Sequence, residues 1–264
     1  MGKPENKPES LHGSRLENKP DITFQIKNLG KLGYLFSLYC FCLHFFIFVF
    51  FRYNVLIGYI AHLTLHLGAF YIDFKTSNSM EYNFKILEIN GFNGYKTMRK
   101  MIIDLCISKL IIFAILNYMT SDAKFYFDFS LIIKVLIVLA ILEVYFTVSH
   151  MILHRYFPEI HKIHHCCIRA TYTTGFIFNE FDRLFEARLP ILLGLLISYY
   201  IFNDSFLSIV FFAISNTWYS MDHDEYLKPY HYYHHKYINS NYCVYINLPY
   251  HDPNDKVKDV VKRS

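Results

Sequence analysis

Long apolar stretches separated by short polar ones constrain this chain more than any other feature. Gly33–Phe51, Val55–Ile72, Met101–Met119 and Ser130–Ser149 are each about the length that a helix needs to cross a hydrocarbon layer of about 30 Å. A fifth stretch, Leu189–Trp218, is interrupted at Asn203 and Asp204. The sequence is 53% hydrophobic with 26 Phe and 23 Tyr, and 18% charged against roughly 25% in an ordinary soluble domain. So much apolar and aromatic surface predicts contact with lipid.

The links set a topology. Only three residues part the first two runs, which predicts a tight helical hairpin. Residues 73–100 carry Lys75, Lys85, Lys96, Arg99 and Lys100, while the 120–129 loop has one Lys and two Asp. The positive-inside rule then puts residues 73–100 and the Lys-rich start of the chain in the cytoplasm. Four crossings return the chain to that side near His150. The fifth run is too short for two full crossings, yet one crossing would strand the C-terminal histidines on the far side. A shallow re-entrant hairpin turning at residues 202–205 resolves this. The predicted fold is all-α: a polytopic bundle of about four membrane helices plus a re-entrant hairpin, under a cytoplasmic, histidine-rich helical cap. Residues 1–32, polar and rich in Pro and Lys, read as a disordered cytoplasmic tail rather than a cleavable leader. Residues 33–264 form the membrane domain.

Other classes are excluded by composition. A net charge of +4 with no basic aromatic stripe argues against nucleic acid as a partner. The six cysteines form neither a secreted disulfide framework nor a CxxC knuckle.

Eight of the 14 histidines fall in three clusters: His150 and His154; His161, His164 and His165; His231, His234 and His235. Two of the clusters read HxxHH, a pattern expected about 0.04 times per chain at this histidine frequency. Residues i, i+3 and i+4 share a helix face. Pro158 and Pro229 suit the first turns of helices that would aim each set one way. Three helix ends presenting two or three imidazoles each could surround two metal ions with about four nitrogens apiece. Glu143, two turns before His150, is an intramembrane carboxylate that reads equally as a hydrogen-bond partner of a ligand histidine and as a structural polar contact. His62 and His66 lie inside the second run and read as a buried structural pair, whereas His12, His44 and His251 stand alone. Asp104 and Lys109, five apart, are expected to meet other spans, and Arg155 and Lys162 to reach toward headgroups.

All-nitrogen sites suit Zn, Fe, Cu or Ni. The HExxH of metalloproteases is absent. A site rooted at a membrane face, beneath a Phe- and Tyr-rich bundle, points to a lipid substrate. Attacking a C–H bond without a polar handle calls for redox iron and dioxygen rather than zinc-bound water.

The three boxes, in this order and spacing, resemble those of the fatty acid hydroxylase/sterol desaturase superfamily of membrane di-iron oxidases, over roughly residues 130–245. The segment DHDEYLKPYHYYHHKYINSNYCVY, at 222–245, looks most like the sterol desaturase branch, where an HDGEY-like segment precedes HxxHH and an NY follows it. The resemblance implies His223 as a ninth ligand and Tyr226 as a group supporting the ligands. It also implies two Fe ions, O2 as co-substrate, an endoplasmic reticulum membrane, and electrons from NAD(P)H through a small haem protein. With no haem or flavin motif in this chain, the donor and its reductase would be separate partners. Two segments depart from the family pattern: INLPYHDPND, at 246–255, where a WDRLFGT-like stretch is usual, and FNEFDRLFE, at 178–186, where HPxE/D is common. The expected function is desaturation or hydroxylation of a sterol. The alternatives are a fatty-acid or ether-lipid hydroxylase and an inactive metal-binding relative.

Overall fold

The computed structural model describes residues 31–51, 53–76, 79–167, 171–219, 221–223, 230–238, 242–244 and 252–262. Apart from its last two residues, the expected tail at 1–32 lies outside them, as do Tyr226, His12 and His251. Every regular element among the described residues is helical.

Helix α1 (Lys31–Phe51) turns directly into α2 (Val55–Thr76), and the Asn54 side chain accepts from the Ile57 N–H at the start of α2. The polar 73–100 region holds a helix that the apolar runs do not reveal, α3 (Ser79–Ile89). Met80, Phe84 and Leu87 make its buried face. The Phe84 ring lies so close to Gly94 that a Cβ there would sit 2.7 Å from it. Helix α4 (Gly94–Thr120) therefore starts seven residues before its apolar run, with Asn93 accepting from Lys96 N–H as its N-cap. Helix α5 (Phe129–Tyr156) is capped in the same way by Asp128 and ends at Phe157, where Pro158 opens α6 (Pro158–His165).

Helix α7 (Glu180–Ile201) contains two wide-turned segments, Leu184–Arg188 and Ile197–Ile201, with i→i+5 hydrogen bonding. A turn at 202–204, with Asn203 at φ 50°, leads into α8 (Ser205–Tyr219). Two short helices follow, α9 (Tyr230–Tyr237) and α10 (Val257–Val260).

Among the described residues, four helices are long and apolar enough to cross a membrane: Val55–Lys75, Gly94–Thr120, Phe129–Tyr156 and Glu180–Ile201. Three match the expected second, third and fourth runs. The fourth, Glu180–Ile201, was not expected as a span; the expected first run lies in the 21-residue α1 (Lys31–Phe51), in which Leu38–Phe50 is the apolar part among the described residues. The sequence reading started the last apolar stretch at Leu189 because DRLFEAR before it is charged. In the structure those charges turn inward, so the helix begins at Glu180 and reaches spanning length.

Nor is the hairpin shallow relative to the bundle. Asp204 in its turn pairs with Lys134 at 2.7 Å and accepts from Tyr126 OH, which puts the turn level with the 121–128 loop at the end opposite the histidines. Helices α7 and α8 pack closely along their length, and a Cβ on Gly194 would meet the Phe211 ring at 2.2 Å. The spans share a core around Phe48, Phe113, Leu142, Leu195 and Phe212, with Phe48 4.5 Å from the Phe113 and Phe212 ring centroids. Leu136, Val144 and Ile201 on the outside are each at least 60% exposed, as an outward apolar belt requires. A second core, including Phe70, Met80, Leu105, Ile163, Ile177 and Val257, fills the histidine end.

Candidate metal centre

The last two turns of α5, all of α6, and α9 bring the histidines together. All eight box histidines and His223 are at most 4% exposed. Their nitrogens form two groups that could each hold a metal ion: His150, His154, His161, His165 and His234 in one, and His164, His223, His231 and His235 in the other. The two HxxHH boxes divide reciprocally. In α6 the i,i+4 pair (His161, His165) joins the first group, and the intervening His164 joins the second. In α9 the i,i+4 pair (His231, His235) joins the second group, and His234 crosses to the first. An i,i+4 pair reaches one point because its side chains lie on one helix face. The i+3 residue is rotated enough to serve a neighbouring point.

The spacing of the first group is that of a coordination shell. His150 and His154 Nε2 are 3.1 Å apart, His154 and His165 2.9 Å, His161 and His165 2.9 Å, His161 and His150 3.2 Å, and His234 and His154 3.1 Å. With metal–nitrogen bonds of about 2.1 Å, nitrogens at right angles lie about 3.0 Å apart and tetrahedral ones about 3.4 Å. In the second group His223 and His164 Nε2 are 3.1 Å apart.

The outward nitrogens explain why the inward ones converge. His161 Nδ1 lies 2.9 Å from Asp182, His154 Nδ1 2.7 Å from Asp255, and His150 Nδ1 3.1 Å from Glu186. In the second group His223 Nδ1 contacts Asp222, and His164 Nδ1 lies 3.1 Å from the Ile177 carbonyl. The hydrogen-bonded acceptors, Asp182, Asp255, Asp222 and the Ile177 carbonyl, hold the ring proton on Nδ1, and a neutral imidazole has only one. The Nε2 lone pairs thus face one another about 3 Å apart in a dry pocket, where they repel unless a cation lies among them. Burial pushes His164, His165, His231 and His235 well below the usual histidine range, as do the neighbouring rings. They are therefore neutral, in the form that ligates. The residues fit a metal in each group.

Four supporting carboxylates (Asp182, Glu186, Asp222 and Asp255) were not singled out from the sequence. Two come from FNEFDRLFE, and Asp255 ends INLPYHDPND, so both departures from the family pattern supply groups to the centre. The wide-turned segment of α7 shapes this. Arg183 and Arg188, five apart, would point about 140° apart on an α-helix. Here both grip Asp104, while Glu186 between them faces His150.

The remaining sequence candidates have other surroundings. Glu143 is buried and accepts from Val244 N–H at 3.0 Å, fixing the segment after α9 to α5. His62 and His66 pair through their Nε2 atoms at 3.0 Å, with the His44 ring tilted beside them, its centroid 5.0 Å from that of His62, and Tyr172 OH on His66 Nδ1. Lys109 donates to Asn216. Arg155 binds Asp252, and Lys162 pairs with Glu159 over the Phe92 ring.

Comparison with family models, with curated proteins and with solved structures finds no match for this chain.

Proposed function

We propose that this protein is a membrane-bound, O2-dependent oxidoreductase. In this reading two Fe ions, one in each histidine group, serve the desaturation or hydroxylation of a lipid, with a sterol the first substrate to test. One observation carries the reading: nine buried imidazoles from four segments present nitrogens at coordination spacing in two adjoining groups. The likeness of residues 222–245 to the sterol desaturase branch supports the substrate.

Iron bound there would supply the redox chemistry and dioxygen activation that an unactivated C–H bond needs. The chain's own residues prepare the place. Asp182, Asp222 and Asp255 fix the tautomers and make the ligands more basic, and Glu186 lies 3.1 Å from His150 Nδ1. Phe178 stacks on His164 with ring centroids 4.0 Å apart, and Tyr242 packs on His154 and His234, so aromatic faces shield both groups from water.

The Lys- and Arg-rich 73–100 region adjoins the histidine end, so this end is assigned to the cytoplasm by the positive-inside rule. Helix α8, with 15 residues, is about 22 Å long and returns to that side without matching a full span. An endoplasmic reticulum membrane, a separate haem donor and an NAD(P)H reductase complete the reading.

The test is iron analysis of the purified protein, with sterol and acyl-lipid profiles of cells that contain or lack it. Two Fe per chain and an altered sterol profile are expected, and His164→Ala and His231→Ala should abolish the alteration. Persistence of the product in those variants would overturn the oxidase reading. A fatty-acid or ether-lipid hydroxylase is the second reading, favoured by the cationic cavity beside the second histidine group. Bound iron without O2 uptake under supplied electrons would mark an inactive relative.

A further inference from the structure

Between α4, α7, α8 and the 175–178 segment lies a cavity of about 70 Å³, against roughly 300 Å³ or more for a pocket that swallows a whole ligand. Its walls include Met101, Leu105, Ile112 and Ile191. Three basic side chains also line it: Lys109 (6% exposed), Arg183 (9% exposed) and Arg188. Only Asp104 opposes them. It pairs with both arginines, while Lys109 donates to the neutral Asn216 and makes no ion pair among the described residues. Arg188 Nε is buried without a hydrogen-bond partner. His66, on the same wall, is already engaged with His62 and Tyr172 and brings no negative charge. Positive charge in surplus beside spanning helices is expensive unless an anion enters. The other side of the cavity adjoins the second histidine group. Phe178 is the ring stacked on His164, and a Cβ on Gly175 would lie 2.9 Å from His223 Nδ1.

We propose that the cavity bounded by Lys109, Arg183 and Arg188 binds the anionic head group of an amphiphilic lipid beside the second histidine group. Its size admits a head group and the first few carbons, and its apolar walls accept the start of a chain. Arg183 and Arg188, oriented by Asp104, would contact the anion from the α7 side and Lys109 from α4. As a statement of substrate class this rests on the oxidase reading, which it narrows toward an acidic lipid. As a binding site it does not.

The test uses the full chain in neutral detergent, titrated with oleate, dioleoyl phosphatidate and the neutral lipid monoolein, with bound lipid counted by native mass spectrometry. At least one anionic lipid should bind tenfold or more tighter than monoolein. Lys109→Met and Arg188→Gln should each weaken that binding at least tenfold, while Lys109→Arg retains it and monoolein is unaffected. Equal binding of neutral and anionic lipids, or full affinity in both neutralised variants, would overturn the proposal. Binding of oleate alone identifies a single-chain acid, and of phosphatidate alone a phospholipid head group. Either result supports the subsite. Iron content and helical circular dichroism of each variant, matched to the unaltered protein, separate loss of the anion from loss of fold. A protein without O2 chemistry that still binds oleate through Lys109 leaves the subsite standing and removes only the oxidase reading.

Discussion

Asp255 Oδ2 lies 2.7 Å from His154 Nδ1, joining residues 101 positions apart, and Tyr242 OH donates to the same oxygen at 2.6 Å. The C-terminal segment is thus tied to a ligand at the end of α5. Asp255→Ala is expected to lower metal affinity about 10–100-fold, measured by competition with a chelator. Asp252→Ala, three residues earlier, removes the partner of Arg155 and of the Asn254 N–H but no contact to a histidine, and should lower that affinity much less. Equal effects from the two would show that Asp255 acts through the fold rather than through His154.

Gly175 touches His223 so closely that Gly175→Ala must displace the imidazole. The expected result is loss of metal from the second group alone, to about half the original content by elemental analysis, with helical circular dichroism unchanged. Full metal content would mean that the His223 ring moves without leaving the group.

Gly194 lets α7 and α8 approach, and a methyl there would overlap the Phe211 ring. Gly194→Ala should cost about 1–3 kcal/mol through overpacking, seen as a lower melting temperature in detergent. Phe211→Leu in the same chain should recover part of the loss. A melting temperature equal to that of the unaltered protein would contradict the close packing of the two helices.

At the opposite end Asp204 is 7% exposed and paired with Lys134. Burial raises its pKa, but the Lys134 and Tyr126 hydrogen bonds outweigh this and hold the carboxyl below its usual range. Its contribution to stability is therefore present above about pH 4 and lost as pH falls through the lowered value. Lys134→Met should destabilise at neutral pH by about 1–3 kcal/mol, because it leaves a buried carboxylate poorly paired. The double variant Lys134→Met/Asp204→Asn should be less destabilised than the sum of the single changes. Strict additivity would show that the pair does not interact.

The box histidines were legible because ligands on one helix obey a spacing rule, and His150/His154 and both HxxHH boxes follow it. His223 has no such spacing and was reached only through the likeness of its segment. Asp182, Glu186 and Asp255 were illegible for a different reason. Each meets a histidine on another element, so no local pattern links the partners, and a carboxylate in a charged stretch such as DRLFEAR reads as solvated. The same misreading hid the start of α7, where Arg183 and Arg188 pair with Asp104, and Asp182 with His161, instead of facing water. Helix α3 was missed because its buried face, Met80, Phe84 and Leu87, is narrow and set among polar residues.

The reciprocal division of the boxes bears on how the chain matures. Since α6 and α9 each donate to both groups, each acts as a cross-strut, and withdrawing either one dismantles both cages at once. Any metal in either cage thus depends on both helices, whereas a change confined to one group, as at Gly175, leaves the other group's ligands in place. The eight-residue α9 bears three of the nine imidazoles, so seating this one short helix completes both cages at once.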